Sequence, residues 1–408
     1  MSIRLPSLPT LGLRFTLKSL DPRPAAARIF ALTALAFLAA CEVSVPSSGG
    51  GQGQQIDPNA PVQVALLVPG GTGSPEFDAM AASLENAARL AIADLNGVEI
   101  DLRVYNTARN PSQAATVAAT AVADGAKIIL GPLDAASANA VGVMVAPRDV
   151  NVLAYSNNPA IAGGNVFVLG NTFQNTAERL VSYASAQGVR NYMIAHQDDP
   201  SGAAGRDAIA TAIRSGGGTV TSIESYPFNQ AGIFQRAPAI AAAANTNGAQ
   251  AIFVTDTFAG GLSILATSMM DAGMNPARTP LIGIARWDVN PQAASLPAAQ
   301  NGIFAMADAG REAAFESRYS ATYGTSPHPL ASIAYDGIAA IGALAATGDQ
   351  NALTVASLTR ASGFRGATGI FRLRPNGTNQ RALSVATINN GQVSILDPAP
   401  LSFGAGGS

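Results

Sequence analysis

Few side chains in this sequence belong to the types that perform catalysis or hold a metal ion. The 408 residues include one cysteine, Cys41, and two histidines, His196 and His328. A thiolate and imidazole metal site needs several such side chains close together, and these three fall in different predicted segments. The run His-Gln-Asp-Asp that begins at His196 could suit a metal or a His/Asp pair, but its place after a predicted strand favours capping of the next turn. The sequence therefore predicts that the protein is not an enzyme, with no catalytic residue, no metal and no cofactor.

A glycine-rich turn, Gly70-Gly71-Thr72-Gly73, follows the first predicted strand and could suggest a phosphate-binding loop. A Walker loop ends in a lysine followed by serine or threonine, and a dinucleotide-binding turn has its glycines at fixed spacing. Neither pattern is present in this turn, so it does not predict nucleotide binding.

Cys41 stands directly after the apolar run Ile29–Ala40, and basic residues precede that run. The run is shorter than the ~20 apolar residues that a membrane-spanning helix needs. Residues 1–40 are therefore predicted to be a secretory signal peptide. The phrase Leu38-Ala39-Ala40-Cys41 resembles the bacterial lipobox, which implies cleavage before Cys41 and acylation of that residue. The alternative is an ordinary signal peptide that contains a cysteine.

Acylation of Cys41 would hold the protein on the periplasmic face of a membrane, because each buried methylene contributes ~0.8 kcal/mol. The next residue is Glu42. In enterobacterial-type sorting an aspartate at that position favours retention in the inner membrane. Attachment to the outer membrane is therefore expected rather than to the inner membrane.

The composition limits both the size of the core and the choice of partner. A chain of 408 residues with 48% hydrophobic composition exceeds what one domain usually holds, so two lobes are expected. From residue 41 onward the chain holds 19 basic and 25 acidic residues, a net charge of −6. Such a surface does not attract the phosphates of nucleic acid, which is therefore excluded as a partner.

The organisation of the chain is predicted from composition and periodicity. Residues 41–60 are rich in Gly, Ser and Gln and are predicted to be a flexible tether. From Pro61 onward, short β-branched runs alternate with amphipathic, Ala-rich stretches, a pattern typical of α/β folds with parallel sheets covered by helices on both faces. Two lobes are predicted, the first over 61–175 with part of 325–350 returning to it. The second covers 176–310, with part of 360–400 returning to it.

Four phrases in order resemble the type 1 periplasmic binding fold of leucine/isoleucine/valine-binding proteins. They are Val64–Pro69 with its Gly-rich turn, Asn86–Ala91, Asp124–Pro132 and Pro329–Gly337. The resemblance implies an α/β protein with two Rossmann-like lobes, joined by crossing strands, and a central cleft that opens and closes on a ligand.

In that superfamily, amino-acid binders hold their ligand with polar groups in the turns that face the cleft. The serine expected after the Gly-Pro turn is Ala135 here, the threonine of a Ser-Ala-Thr turn is Asn158, and a tyrosine before a glycine is Ser201. These three departures weigh against binding of an amino-acid zwitterion. The polar residues of these turns remain candidates to line a cleft for a different solute, or they simply face water: Asp134, Ser137, Ser156, Asn157, Asn158 and Ser201.

Trp287 is the only tryptophan and follows a predicted strand, where a cleft or a partner surface would lie. Two roles are open from the sequence. The side chain packs in the core, or it contacts a ligand or partner as an aromatic anchor in the cleft.

Other phrases resemble a narrower group, the penicillin-binding protein activator lipoproteins. They are Val152–Asn157, Leu281–Asp288, Phe315–Tyr319 and Gly363–Arg372. The resemblance implies a regulator of a bifunctional peptidoglycan synthase, although the enterobacterial members carry a helical-repeat domain that is missing here. The alternative is a solute-binding lipoprotein of an ABC transporter, with amino acids or related small solutes and an ABC permease as partners.

Overall fold

The computed structural model describes residues 52–403, and Cys41 with the predicted signal peptide lies outside them. The described residues form fifteen strands: β1 Val62–Val68, β2 Ile100–Asn106, β3 Ile128–Leu130, β4 Asn151–Ala154, β5 Val166–Val168, β6 Asn191–Gln197, β7 Thr219–Tyr226, β8 Ala251–Val254, β9 Leu281–Gly283, β10 Ile303–Met306, β11 Phe364–Arg365, β12 Ile370–Leu373, β13 Asn379–Arg381, β14 Ser384–Asn389 and β15 Gln392–Asp397. They also form eleven α-helices: α1 Pro75–Ala93, α2 Pro111–Ala123, α3 Ala135–Val145, α4 Phe173–Ala186, α5 Pro200–Ser215, α6 Gln230–Thr246, α7 Leu262–Asp271, α8 Pro291–Ser295, α9 Ala309–Tyr323, α10 Ser332–Ala345 and α11 Val355–Leu358. Of these described helices, none is long and apolar enough to span a membrane.

The first lobe is a parallel five-stranded sheet in the order β2-β1-β3-β4-β5. Its central strand β1 has the sequence VQVALLV, and its alternate side chains enter two different clusters. Leu66 packs with α1 and α10 on one face, whereas Leu67 packs with α2 and α3 on the other. A strand buried on both faces must be apolar throughout, which is why this run folds as the centre of a doubly covered sheet.

The second lobe repeats this arrangement in a seven-stranded sheet with the order β15-β14-β10-β9-β8-β6-β7. Strands β6 to β10 are parallel, whereas β14 and β15 join antiparallel beside β10. On one face of β6, Ile194 packs with α4 and α5, and on the other Met193 packs with α6 and α7. The chain after β10 returns to the first lobe, where Phe315 of α9 enters the cluster around β1 and α10.

Three segments pass between the lobes: residues 169–172 after β5, 307–308 after β10 and 382–383 before β14. Asn379, on β13 just before the third segment, binds the backbone at the start of the first. Its Nδ2 donates to the carbonyl oxygens of Val168 at 2.7 Å and Gly170 at 2.8 Å. Because Asn379 is buried, these bonds replace water at the junction and hold β13 beside the end of β5 and the first connecting segment.

The segment before β1 differs from the sequence-based expectation of a flexible tether through residue 60. Residues 52–60 lie against the first lobe, and Ile56 is 5% exposed within its main cluster. The backbone N–H of Ile56 donates to the carbonyl of Gln350 at 3.0 Å. Gly53 adopts a φ of +96° where a Cβ would lie 2.2 Å from the carbonyl oxygen of Leu353, so only glycine fits. The packed part of the chain therefore begins before Pro61.

Candidate functional site

The strand orders locate the candidate site. In a doubly wound sheet, ligands bind beyond the carboxyl ends of the strands at the point where the strand order reverses. That point lies between β1 and β3 in the first sheet and between β6 and β8 in the second. The turns that follow these strands are therefore the first place to look for functional side chains.

The turn after β3 places two of the predicted residues together. Gly131 has a φ of +82°, and a Cβ there would lie 2.2 Å from the carbonyl oxygen of Leu67, so the close approach of β3 to β1 requires glycine. After the cis Gly131–Pro132 peptide bond, Asp134 caps α3, and its Oδ1 accepts the backbone N–H of Ser137 at 2.9 Å. Asp134 Oδ2 and Ser137 Oγ are both buried without a hydrogen-bond partner in the described structure.

The turn after β4 holds three more predicted residues next to the first group. The backbone N–H of Tyr155 donates to the carbonyl of Pro132 at 3.0 Å, which joins the two turns. Ser156 is buried, and its Oγ accepts the backbone N–H of Asn158 at 3.1 Å. Asn158 in turn caps a short 3-10 helix, and the side chain of Asn157 is exposed. Ser156 and Asn158 therefore shape the turn, whereas Asn157 is open to solvent.

In the second lobe, Ser201 is exposed in the first turn of α5. Asp199 caps that helix, and its Oδ1 accepts the backbone N–H of Gly202 at 2.6 Å. Ser201 therefore lies at the carboxyl edge of the second sheet, whereas Asp134 and Asn157 lie at the carboxyl edge of the first.

Asp256, a buried carboxylate of the second lobe, is not among the residues predicted from the sequence. Asp256 follows β8, and its two oxygens accept the backbone N–H groups of Thr257 at 2.7 Å and Gly261 at 2.9 Å. Tyr226 donates its hydroxyl to Asp256 Oδ2 at 3.3 Å. Burial raises the pKa of Asp256, although the two backbone N–H groups oppose that shift. The sequence feature that indicates Asp256 is the polar run Thr255–Thr257 directly after an apolar strand.

Arg286, in the connection after β9, joins the two lobes by ion pairs. Its Nη2 lies 2.5 Å from Asp288 Oδ2, and its Nη1 lies 2.6 Å from Glu312 Oε1 on α9. Burial lowers the pKa of the guanidinium, but the two carboxylates outweigh burial and raise it. Arg286 is therefore held as a cation whose charge is neutralised by its own chain.

Trp287 does not line the cleft. Its side chain is fully buried in the core of the second lobe, where it stacks on Phe304 at 5.6 Å and meets the edge of Phe258 at 5.1 Å. Gly283 and Gly302 leave the room that the indole occupies. Of the two roles open from the sequence, packing in the core is confirmed and the cleft position is wrong, because the turn after β9 folds this large apolar side chain inward, where burial stabilises it most.

The two histidines lie apart from each other. His196 is buried on β6 with Nδ1 2.8 Å from the carbonyl oxygen of Gln197, whereas the backbone N–H of His328 donates to Ser83 Oγ on α1 at 2.8 Å. Within residues 52–403, no group of three or more His, Cys, Asp or Glu side chains could hold a metal ion. The carboxyl edges of the two sheets offer hydrogen-bonding and charged side chains, which suit reversible binding of a ligand.

Comparison with known proteins agrees with this geometry. The model of the family described as Periplasmic binding protein matches residues 61–392. No curated protein matches the chain. Among solved structures, a protein of Rhodospirillum rubrum provisionally assigned as a branched-chain amino acid ABC transporter is similar at 18% identity, with a TM-score of 0.70, covering 83% of this chain and 100% of that one.

Two further solved structures contain ligands. An ABC transporter substrate-binding protein from Desulfitobacterium hafniense, in complex with Leu, matches with 18% identity and a TM-score of 0.59, over 83% of this chain and 100% of that one. A solute-binding protein of an ABC transporter from Rhodopseudomonas palustris, in complex with 3,4-dihydroxybenzoic acid, matches with 18% identity and a TM-score of 0.56, over 83% and 98%. At these identities the matches establish the fold alone.

The predicted type 1 periplasmic binding fold, an α/β fold with parallel-sheet lobes, is thus confirmed. The family model spans most of the sequence, from the first strand to the start of the last. The chain therefore belongs to the Periplasmic binding protein family.

Proposed function

We propose that this protein binds a small solute in the cleft between its lobes and delivers it to an ABC permease. The observation that carries the proposal is that polar residues of both lobes gather at the carboxyl edges of the two sheets. Asp134 and Asn157 come from the first lobe, and Asp256 and Ser201 come from the second. The names of the similar structures, which are ABC transporter proteins, support the transport part.

The first hypothesis from the sequence, a regulator of a bifunctional peptidoglycan synthase, has weaker support. The comparisons match ABC transporter proteins and include no penicillin-binding protein activator among the structures described above. The hypothesis stays a prediction that rests on local phrases such as Gly363–Arg372. It is tested by adding the purified chain to a bifunctional synthase, and an unchanged rate of glycan synthesis would remove it.

The lipid anchor at Cys41 is a separate proposal, which rests on the lipobox-like phrase Leu38-Ala39-Ala40-Cys41. Cleavage after residue 40 and acylation of Cys41 would produce it, with the outer membrane the expected location. Mass spectrometry of the mature chain measures the acyl mass directly. Cys41→Ser should release the protein into the soluble fraction, and a wild-type chain that is already soluble would contradict the anchor.

Solute binding is tested by a thermal-shift screen of the full chain against amino acids, amines, aromatic acids and short peptides. A ligand at 100 times its dissociation constant adds ~2.7 kcal/mol to the stability, which raises the melting temperature by several degrees. Hits are then measured by calorimetry. A screen in which no solute class shifts the melting temperature would contradict the proposal.

A matched pair of variants locates the binding site. Asn157 and Asn245 are both exposed, but Asn157 lies at the carboxyl edge of the first sheet and Asn245 near the end of α6, at the opposite edge of the second sheet. Asn157→Trp should obstruct closure of the lobes and weaken binding at least tenfold. Asn245→Trp should leave the affinity unchanged. Equal affinities in both variants would place the ligand outside the cleft.

A further inference from the structure

The connections that lead out of the carboxyl ends of strands β1 to β10 are unusually acidic. Together they carry six aspartates and two arginines, whereas the other residues from 41 onward are nearly balanced with 19 acidic and 17 basic side chains. Because these ten connections form the two edges that border the cleft, the cleft has a negative bias that the rest of the surface lacks. The aspartates are Asp134, Asp198, Asp199, Asp256, Asp288 and Asp308.

Neither arginine offsets this bias at the strand-order reversal points. Arg286 pairs with Asp288 and Glu312, at 2.5 and 2.6 Å, so it cancels the charge of Asp288 and leaves five aspartates to set the bias. Arg109 follows β2, the outermost strand of the first sheet, and its guanidinium lies 4.3 Å from the centre of the Phe77 ring. An anionic ligand therefore meets no arginine in these connections that is both central and unneutralised.

The helix N-termini at the edges are also occupied. A helix N-terminus attracts anions through its free N–H groups and its dipole. Here Asp134 caps α3, Asp199 caps α5 and Asp308 caps α9, each with a carboxylate oxygen 2.6 to 3.0 Å from a backbone nitrogen. The chain's own carboxylates therefore take the places that a ligand carboxylate would use.

The first turn of α3 adds an independent observation. Asp134 Oδ2 and Ser137 Oγ are buried and have no hydrogen-bond partner in the described structure, and the Ser137 side chain is fully buried. A buried acceptor without a donor is costly. A ligand that donates hydrogen bonds, such as an ammonium group, would satisfy Asp134 Oδ2, which can only accept, whereas a carboxylate would place a second acceptor beside it.

We propose that the cleft takes a small aliphatic amine, a solute with one or more ammonium groups and no free carboxylate. The inference rests on the proposed solute-binding function and names its ligand class. The leucine and dihydroxybenzoate found in two similar structures both carry a carboxyl group. In this chain, Ala135 follows Asp134 at the start of α3 and offers no side-chain donor to a carboxylate.

The test uses three probes with one carbon skeleton and different charges: leucinamide, leucine and 4-methylpentanoate. Putrescine and spermidine are tested as two further cationic probes. Calorimetry with the purified full chain should give at least tenfold tighter binding for one of the cationic probes than for leucine, and no measurable binding of 4-methylpentanoate.

Two aspartate variants with the same change of charge provide the control. Asp134→Asn keeps a residue that caps helices well but removes the charge, and it should reduce the preference for the cation at least tenfold. Asp149 is exposed at the opposite edge of the first sheet, so Asp149→Asn should leave the preference unchanged.

The outcomes separate the two proposals. Tighter binding of leucine or 4-methylpentanoate than of every cationic probe would overturn the ligand class and leave solute binding intact. Binding of a cation that is equally tight in wild type and Asp134→Asn would overturn the role of Asp134. If none of these probes binds and the wider solute screen is also negative, both proposals fail.

Discussion

Asp336 and Arg381 form a buried ion pair at the junction of the lobes, with Asp336 Oδ2 2.7 Å from Arg381 Nη1. Asp336 lies on α10 and is 1% exposed, and its Oδ1 accepts the backbone N–H of Ala367 at 2.7 Å. Arg381 also donates from Nε and Nη2 to the carbonyl oxygen of Leu169, at 3.0 and 2.6 Å. The pair thus ties α10 of the first lobe and strand β13, which leads into segment 382–383, to the connecting segment 169–172.

Removing one member of this pair should be costly. Arg381→Met keeps most of the volume but leaves Asp336 buried without its partner, so we expect a loss of about 3–5 kcal/mol in the free energy of unfolding. Denaturant unfolding followed by circular dichroism measures it. Adding Asp336→Asn removes the isolated charge and should recover part of the loss.

An exposed pair provides the control for this measurement. Arg89 and Glu85 are 2.7 Å apart on α1, but their side chains are 51% and 32% exposed. Arg89→Met should therefore change the free energy of unfolding by less than about 0.5 kcal/mol. Equal losses in the Arg89 and Arg381 variants would show that burial does not strengthen the pair at the junction.

The segment before β1 gives a second prediction. Ile56 is 5% exposed against the first lobe, so Ile56→Ala should lower the free energy of unfolding by about 2 kcal/mol or more. Ile395 on β15 is 43% exposed, and Ile395→Ala should cost less than about 0.5 kcal/mol. If Ile56→Ala is as mild as Ile395→Ala, the segment acts as the flexible tether that its composition suggests.

The fold could be predicted because its signals are local. Strands such as β1 are apolar throughout, and capping residues such as Asn110 stand at the start of helices. The interaction between Asp336 and Arg381 could not be predicted, since the partners are 45 residues apart and only the tertiary fold brings them together. Ile56 was missed because it is a single apolar residue in a Gly- and Gln-rich stretch.

Part of the candidate site could also be predicted from local signals in the sequence. The turn residues Asp134 and Asn157 follow strands whose ends are visible in the sequence, and they do lie at the edge of the sheet. Trp287 also follows a strand, but whether a side chain there turns outward or inward depends on the space beneath it. Gly283 lies on β9 and Gly302 directly precedes the adjacent strand β10, and together they leave that space. No local sequence pattern indicates it.

The fluorescence of Trp287 reports on the packing of the second lobe's core. Because the indole is fully buried, its emission should be at shorter wavelength than that of free tryptophan, resist quenching by acrylamide and change little on ligand binding. A Cβ at Gly283 would lie 2.2 Å from Trp287 Nε1. Gly283→Ala should therefore cost about 1–3 kcal/mol through overpacking and shift the emission to longer wavelength.

A second glycine provides the comparison for that variant. Gly310 lies in the first turn of α9, where the nearest atom to a Cβ is Asp308 Oδ1 at 3.4 Å. Gly310→Ala should be neutral or stabilise the protein by up to about 1 kcal/mol, because alanine has less freedom to lose on folding. A Gly283→Ala variant as stable as Gly310→Ala, with unchanged emission, would contradict the packing around the indole.

His328 provides a prediction about pH. Burial lowers the pKa of His328 below its ordinary value of 6.5, and nearby Glu76 opposes the shift only in part. The direction agrees with the geometry, since His328 Nδ1 accepts the backbone N–H of Leu330 at 3.1 Å and cannot do so when protonated. Below about pH 6.5 the unfolded chain therefore binds this proton more readily than the folded one, so stability should fall as the pH falls through that window.

The measurement is simple because the chain has only two histidines. An NMR titration of their ring protons, assigned with His196→Gln, should give a pKa for His328 below 6.5, and Glu76→Gln should lower it further. His328→Asn removes the titrating group, so the loss of stability from pH 7 to pH 5 should be smaller in that variant than in wild type. A pKa at or above 6.5, or the same acid sensitivity in both chains, would mean that the folded structure accepts the protonated ring and that the Leu330 contact does not hold it neutral.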